Sequence, residues 1–267
     1  MTVARKLFSP SQLISPGHDN GSIDLEVMLT SLYRDHCALH PPHPYILEHQ
    51  KPACIANQVR TFHWYRPYLP PNGSVLDWGC YHAPDSCMLR AWYGDRFELH
   101  SCDFADRDAH RVFHDFSGCD YRQLNDCVEL PYPSAAFDAV IASGTLEHTA
   151  MDYESLKELH RVLKPDGVLI ISYLPNFLSV REWIQRNVHK KDFHRRLYGA
   201  SEAIQLLKRS GFYPATMRYH TFFWERIVEK VGLGYWRDSV AGALSKLLPL
   251  QTLSSTHCCI AHKVKVM

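Results

Sequence analysis

Hydrophobic residues near the start of the chain recur at helical spacing. One run follows the i, i+3, i+4, i+7 spacing of a buried helix face, at Leu25, Met28, Leu29 and Leu32. Ser22 precedes this run as the predicted N-cap, and the segment HPPHPY is expected to end the helix. A second helix is predicted from Pro52, with its apolar face formed by Ile55, Val59 and Phe62. The first ~20 residues are rich in turn-forming residues and are expected to form an extended arm.

From residue 73 onward, short apolar runs alternate with helical patterns, which is typical of a parallel sheet covered by helices. The predicted strands are SVLDW, FELHSC, FDAVIAS and VLIISYL, followed near the C-terminus by TMRYHTF and THCCIAHKV. A helix is predicted through Leu156, Leu159 and Leu163, with KPDG as the turn after it. Another helix is predicted from Ser201 to Ser210, with Gly211 at its C-terminal end.

These elements predict an α/β fold: a Rossmann-like, doubly wound mixed sheet of about seven strands, with helices on both faces and the last strand antiparallel. We expect residues 1–70 to form an N-terminal arm and helical cap. Residues 71–267 are expected to form the main domain, with a lid inserted around 174–200.

The overall charge and composition narrow the range of partners. The 267 residues carry a formal net charge of only +1, so the chain lacks the basic field that holds a nucleic-acid backbone, and a small molecule or lipid is the expected partner. The nine cysteines include no CxxC pair, which favours reduced thiols and a cytoplasmic location. The sequence contains no run of eighteen apolar residues, so no membrane span is predicted. The seventeen histidines include no HExxH motif, and we predict no metal.

The segment VLDWGCYHAPD at 75–85 has the form of a ligand-binding loop between a strand and a helix. Gly79 supplies a tight turn after the strand, and Pro84 suits the first turn of the following helix. A dinucleotide pyrophosphate requires close approach over several glycines, and here only Gly79 is present. The loop therefore argues against a nicotinamide dinucleotide.

This loop resembles the first motif of class I S-adenosylmethionine-dependent methyltransferases, VLDxGCGxG. The matching positions are Val75, Leu76, Asp77, Gly79 and Cys80. Tyr81 and Ala83 replace glycines of that motif, and Tyr81 is expected either at negative φ or in a modestly strained left-handed conformation, with its ring closing the pocket. Further similarity extends in order to about residue 176.

The resemblance implies a set of residues that bind the cofactor S-adenosylmethionine. Asp103 would accept hydrogen bonds from the ribose, and Asp126, in DCVELPYPSAAFD, would accept one from the adenine amine. The full implied set is Asp77, Gly79, Tyr81, Asp103, Asp126, Cys127 and Ser143. Each of the three aspartates has a structural alternative, as a turn cap, a strand-end charge or a solvated loop acid.

His148, in GTLEHT after the predicted fourth strand, is the candidate catalytic base for a hydroxyl acceptor. The alternative is that its imidazole holds the loop by bonding backbone, while Glu147 serves as a structural acceptor. In the lid, Val180, Trp183, Ile184 and Val188 form an apolar helical face beside basic residues. This segment has three possible roles: a solvated surface helix, a binding surface for an anionic acceptor, or a peripheral membrane contact. The segment at 222–250 carries the same ambiguity.

The resemblance implies an enzyme that transfers a methyl group from S-adenosylmethionine to a small-molecule acceptor, such as a sugar, lipid or secondary-metabolite intermediate, by direct displacement. Two alternatives stay open: a non-catalytic scaffold or binding protein that retains the fold, and a Rossmann oxidoreductase.

Overall fold

A computed structural model describes residues 23–41, 43–189, 194, 196–220 and 252–263. The predicted N-terminal arm and the segment at 222–250 lie outside these residues. Among the helices that are described, none combines the length and the apolar character needed to cross a bilayer.

Seven strands in the described part of the chain form one mixed sheet in the order β3-β2-β1-β4-β5-β7-β6. They are β1 (Gly73–Trp78), β2 (Phe97–Asp103), β3 (Asp120–Gln123), β4 (Phe137–Ser143), β5 (Leu163–Pro175), β6 (Phe212–His220) and β7 (Thr256–Lys263). The final strand β7 runs antiparallel to both of its neighbours, β5 and β6. This confirms the predicted mixed sheet with an antiparallel last strand.

The α-helices of the described residues lie before β1 and, from β1 onward, between successive strands, although no α-helix lies between β3 and β4. They are α1 (Leu25–Leu39), α2 (Pro44–His49), α3 (Pro52–Tyr65), α4 (Pro84–Tyr93), α5 (Arg111–Ser117), α6 (Asp152–Val162), α7 (Val180–Asn187) and α8 (Ala200–Arg209). Both predicted N-terminal helices are present, and Gly211 follows α8 at φ 95°, as the C-terminal glycine signal predicted.

The chain divides into two compact units, residues 1–125 and 126–267. In the first unit, α1 contacts α3, α4 and α5. Leu29, Phe62 and Leu76 are completely buried there, and the Tyr33 ring packs edge-on against Phe113. The N-terminal helices are therefore part of the core of this unit. The predicted boundary at residues 70 and 71 stays a prediction.

The second unit is built around β4, β5 and β7. Along β4 the side chains from Ala139 to Ala142 are all buried, as are Ile170 in β5 and Ile260 in β7. Strands buried on both faces read as continuous apolar runs, which is why FDAVIAS and VLIISYL were recognisable in the sequence. Leu156 and Leu159 of α6 are also completely buried in this unit.

Three local expectations were wrong. The N-cap of α1 is Asp24, whose carboxylate accepts from the amides of Glu26 and Val27. KPDG lies within β5 rather than before it, and Asp166 adopts a φ of 64° where the β4–β5 register is irregular. Leu163, expected in the helix with Leu156 and Leu159, begins β5 directly after α6 ends at Val162. The strand β3 was not predicted, because its residues DYRQ are largely exposed and have no apolar pattern.

Asn176 stabilises the end of β5. Its buried amide donates to the carbonyls of Thr252 (2.7 Å) and Ser254 (2.9 Å), and its Oδ1 accepts from the amide of Leu178 (3.1 Å). These bonds connect the start of the predicted lid to the residues before β7.

We expect Asn176→Ala to lower the free energy of unfolding by about 2 kcal/mol or more, because two backbone carbonyls and one amide lose their partner. Asn187→Ala is the matched control, since the exposed Asn187 donates one hydrogen bond within its own helix. Denaturant unfolding of the two variants measures the difference. Equal stability of the two would show that the Asn176 network contributes little.

Candidate functional site

The loop after β1 reverses direction through left-handed backbone. Gly79, Tyr81 and Ala83 have φ values of 66°, 47° and 54°. The amides of Gly79 (2.8 Å) and Cys80 (3.2 Å) both donate to the carbonyl of Cys102 in β2. The loop therefore keeps the curvature that a glycine-rich motif adopts, although two of its positions carry side chains, and Tyr81 takes the left-handed alternative of the two expected conformations. Each non-glycine residue in this region costs roughly 1 kcal/mol.

Asp103, at the end of β2, holds this loop in place. Its Oδ2 accepts from the amide of Tyr81 (2.8 Å), and its Oδ1 accepts from the amide of Ala105 (2.9 Å). A hydrogen bond from an amide to a carboxylate is about twice as strong as one between neutral groups. The bond to Tyr81 thus offsets the strain of its left-handed backbone.

Asp77 anchors the helix that follows the loop. Its buried Oδ2 accepts from the hydroxyl (2.8 Å) and the amide (3.3 Å) of Ser86 in the first turn of α4. Burial raises the pKa of Asp77, and the neighbouring Asp85 raises it further. Asp85 in turn accepts a 2.6 Å hydrogen bond from Tyr65 Oη of α3. Asp77 therefore has the structural role of fixing α4 to β1.

The side chains of Tyr81 and His82 pack against the N-terminal helices. The half-exposed Tyr81 ring lies 4.9 Å from Tyr45 and 4.2 Å from His110, centroid to centroid. His82 is buried, and its Nε2 lies 2.7 Å from Tyr33 Oη. Burial holds the pKa of His82 well below its ordinary value, so the ring is neutral. Sequence reasoning missed this link, because Tyr33 is far from the loop along the chain.

The predicted site residues of the second unit occupy a surface turn and a strand end. Asp126 is exposed, and its Oδ1 accepts from the amides of Val128 (2.7 Å) and Glu129 (2.8 Å), which lower its pKa. Cys127 is exposed beside it. Ser143 ends β4, and its Oγ is buried without a hydrogen-bond partner among the described residues.

His148 and Glu147 lie on a short helical turn that follows β4. The His148 side chain is 57% exposed, and among the described residues its imidazole makes no hydrogen bond to backbone, as the loop-holding alternative would require. Burial lowers the pKa of His148, as does the nearby His194. Glu147 is only 3% exposed, and burial raises its pKa to about 7. Its Oε2 is buried without a partner in the described part of the chain, which differs from the expected structural acceptor.

A second histidine and a second glutamate complete this group. His194 Nδ1 lies 3.1 Å from Glu182 Oε1 of α7. One side-chain nitrogen or oxygen from each of Glu147, His148 and His194 lies within 4.8 Å of the other two. Neither His194 nor Glu182 was selected from the sequence. The only available signal was the histidine in the lid segment HKKDFH, because the pairing depends on tertiary contact.

The structure thus brings together Asp77, Gly79, Tyr81 and Asp103 in the first unit. In the second unit it places Asp126 and Cys127 on a turn, and His148 in a separate cluster with Glu147 and His194.

Comparison with known proteins connects this geometry to a family. The family model described as "Methyltransferase domain" matches residues 47–216, which include every candidate site residue named above except Tyr33 and Tyr45. A probable S-adenosylmethionine-dependent methyltransferase of Mycolicibacterium smegmatis is 34% identical over 84 residues, covering 32% of this chain and 32% of the relative. The chain therefore spans about a third of the length of the curated relative that it matches.

Two solved structures are similar in fold. The 4+2 cyclase SpnF aligns with a TM-score of 0.54 and 19% identity, covering 76% of this chain and 80% of that one. Phosphoethanolamine N-methyltransferase 2 of Haemonchus contortus, in complex with S-adenosyl-L-methionine, aligns with a TM-score of 0.57 and 17% identity. That match covers 78% of this chain and 53% of that chain. At these identities the similarity concerns the fold.

Glu147→Gln should change how stability depends on pH. A carboxyl whose pKa is raised on folding contributes stability that is fully present below its unfolded pKa and lost as the pH rises through the folded value of about 7. The neutral amide has no such loss. We expect Glu147→Gln to gain up to about 3 kcal/mol relative to the wild type between pH 4.5 and pH 8.

Denaturant unfolding across that pH range, with a chelator present, measures this gain. Glu154→Gln on the exposed face of α6 is the control, and it should follow the wild type. A pH-independent difference between Glu147→Gln and the wild type would show that folding does not raise the pKa of Glu147.

Proposed function

The chain belongs to the methyltransferase domain family, and from that membership we propose that it transfers a methyl group from S-adenosylmethionine to a small-molecule acceptor. The observation that carries the proposal is the loop at 79–83, which keeps left-handed backbone at three positions and is bonded to Asp103. A chain that no longer bound a ligand here would have little reason to maintain a strained tyrosine at the turn.

The residues of the first unit fit a nucleoside cofactor. A carboxylate offers about four acceptor sites, and Asp103 uses two of them on Tyr81 and Ala105, which leaves capacity for ribose hydroxyls. We propose that Asp103 holds the ribose, while Gly79 and Tyr81 shape the backbone around the cofactor. Asp77 contributes indirectly, by fixing the N-terminus of α4. When bound, the cofactor supplies an electrophilic methyl group on a sulfonium.

Tyr81 is proposed to close the pocket. Its half-exposed ring rests on Tyr45 and His110, and burial followed by the Asp103 charge raises its pKa, so the phenol stays neutral. A neutral aromatic ring can cover an apolar or cationic group without a desolvated negative charge. Asp126, Cys127 and Ser143 stay predictions from the family resemblance, to be tested by cofactor binding to their alanine variants.

His148 is proposed to assist deprotonation of the acceptor. The lowered pKa keeps its imidazole neutral near pH 7, with a nitrogen lone pair available, and more than half of the side chain is accessible. A hydroxyl acceptor needs such a group, because an alcohol is a poor nucleophile until its proton is removed. This reasoning favours an oxygen acceptor.

Residues 174–200 are proposed as the lid that selects the acceptor. Trp183 of α7 is 62% exposed, Val188 just after the helix is 61% exposed, and Phe177 in the preceding turn is 66% exposed. The exposed apolar surface supports an acceptor with an apolar part, such as a lipid intermediate, and is compatible with peripheral membrane contact.

The first rival is a non-catalytic binding protein. SpnF, which is similar in fold, is named for a cyclisation, so this fold does not by itself fix the reaction. Family membership argues against the oxidoreductase alternative. Thermal unfolding separates the oxidoreductase from the other two: S-adenosylhomocysteine should raise the Tm and NAD should not. Protection without methyl transfer to any acceptor in a broad screen would favour the binding protein.

Asp103→Ala should weaken S-adenosylmethionine binding by about 10- to 100-fold, because the ribose loses a charged acceptor and the Tyr81 amide loses its partner. Isothermal titration calorimetry measures the affinity, and Asp108→Ala, an exposed carboxylate nearby, is the control. An unchanged affinity in Asp103→Ala would remove this residue from the cofactor site.

His148→Ala should reduce turnover by about 10²- to 10⁴-fold, with little change in S-adenosylmethionine affinity, since the imidazole acts on the acceptor. Release of S-adenosylhomocysteine under saturating acceptor measures turnover. His189→Ala, an exposed histidine just after α7, should retain wild-type activity. Normal turnover in His148→Ala would point to an acceptor that needs no base.

A further inference from the structure

The cluster of Glu147, His148 and His194 contains three groups that can each donate a lone pair to a cation. Their closest ligating atoms lie within 4.8 Å of one another, and His148 Nε2 is 3.9 Å from Glu147 Oε1. All three belong to the second unit. Neutral imidazoles and a carboxylate are the ligands that divalent transition metals prefer.

A second observation concerns the carboxylate of Glu147 itself. Glu147 is 97% buried, and its Oε2 has no hydrogen-bond partner among the described residues. A buried carboxylate oxygen without a partner costs free energy that a protein normally avoids. A cation bound at this position would satisfy it.

Glu182 gives His194 the environment of a metal ligand. Its Oε1 lies 3.1 Å from Nδ1 of His194, so Nδ1 carries the proton and the lone pair lies on Nε2, at the other side of the ring. The second ring nitrogen of a metal-binding histidine commonly donates a hydrogen bond to a carboxylate in this way. Glu182 is itself buried, with only 4% of its surface exposed. Burial alone would raise its pKa. Its hydrogen bond to His194 and the nearby Arg181 and Arg186 lower it instead.

We propose that Glu147, His148 and His194 bind one divalent transition-metal ion, with Zn²⁺ as the best chemical match and Glu182 orienting His194. Two histidines and one glutamate form a known three-residue ligand set for catalytic zinc, which leaves a fourth position open. Ligating atoms around tetrahedral zinc lie about 3.3 Å apart, given zinc–ligand distances of about 2.0–2.1 Å. The exposed His148 side chain can make the required approach by rotating about its side-chain bonds.

This site deepens the proposed function, and its catalytic consequence rests on that function. With the ion bound, His148 acts as a ligand and no longer as a free base. A bound ion would supply Lewis-acid polarisation of an acceptor hydroxyl in the open position, which would lower the pKa of the hydroxyl so that its proton could pass to water. His148 would thus assist deprotonation through the metal.

Metal binding to the full chain tests the site without any measurement of activity. Zn²⁺ is titrated by calorimetry into chelator-treated wild-type protein in competition with a soluble chelator, and Mg²⁺, which prefers oxygen ligands, serves as the contrasting ion. We expect one Zn²⁺ equivalent that depends on the cluster and no comparable binding of Mg²⁺.

The variants separate the cluster from adventitious binding to the other histidines and cysteines. His194→Ala and Glu147→Gln should each lose that equivalent, or weaken it by at least 100-fold. Glu182→Gln should weaken it by about 10- to 100-fold, as is usual when a residue that orients a ligand is changed. His262→Ala, a histidine of β7 outside the cluster, is the control and should bind as the wild type does. Circular dichroism of the metal-free variants checks that they are folded.

Unchanged Zn²⁺ binding in folded His194→Ala, or no cluster-dependent binding in the wild type, would overturn the site. The proposed function has a separate outcome. Methyl transfer without cluster-dependent metal binding would leave the function intact and remove the site. Metal binding without methyl transfer would leave the site intact and overturn the proposed function. Full methyl transfer by the chelated enzyme would overturn the catalytic consequence of the site.

Discussion

The hydrogen bond from the Tyr81 amide to the Asp103 carboxylate is the interaction on which the first unit's candidate site depends. A tyrosine at φ 47° is unfavourable, and it persists only where the surrounding structure determines it. The Asp103 carboxylate at the end of β2 fixes the backbone of Tyr81 by accepting this hydrogen bond. The side chain of Tyr81 is fixed by the packing of its ring on Tyr45 and His110. The loop therefore reaches a glycine-like conformation with side chains at two of its three left-handed positions, and the N-terminal helices are part of the reason.

The aspartates of this region divide their roles according to burial. Asp77 and Asp85 are buried, and each bonds a group that fixes one helix: Asp77 bonds Ser86 of α4, and Asp85 bonds Tyr65 of α3. Asp103 is half-buried, so it can bond the loop and still offer oxygens to a ligand. An aspartate of this motif can thus have a structural role and bind a ligand at the same time, because one carboxylate has several lone pairs.

The second unit has a different arrangement, in which buried carboxylates face histidines. Glu147 and Glu182 are both nearly inaccessible, yet each keeps one oxygen without a partner among the described residues. Their histidine neighbours come from a turn after β4 and from the lid segment. A bound cation would connect these two segments, so metal binding and lid position would be linked. The same segment exposes the apolar side chains of Trp183 and Val188.

The sequence by itself determined the fold class, since buried parallel strands appear as continuous apolar runs and helices as periodic ones. It also indicated the family, through VLDWGC and the ordered segments after it. It missed β3, because an exposed edge strand has no apolar pattern, and it placed the α1 cap at Ser22 where Asp24 serves. Only the tertiary structure decided that Tyr81 is left-handed, that Tyr33 bonds His82, and that His194 meets Glu147 and His148. The physical reason is that such contacts depend on how distant segments pack, and neither local spacing nor hydrophobic periodicity carries that information.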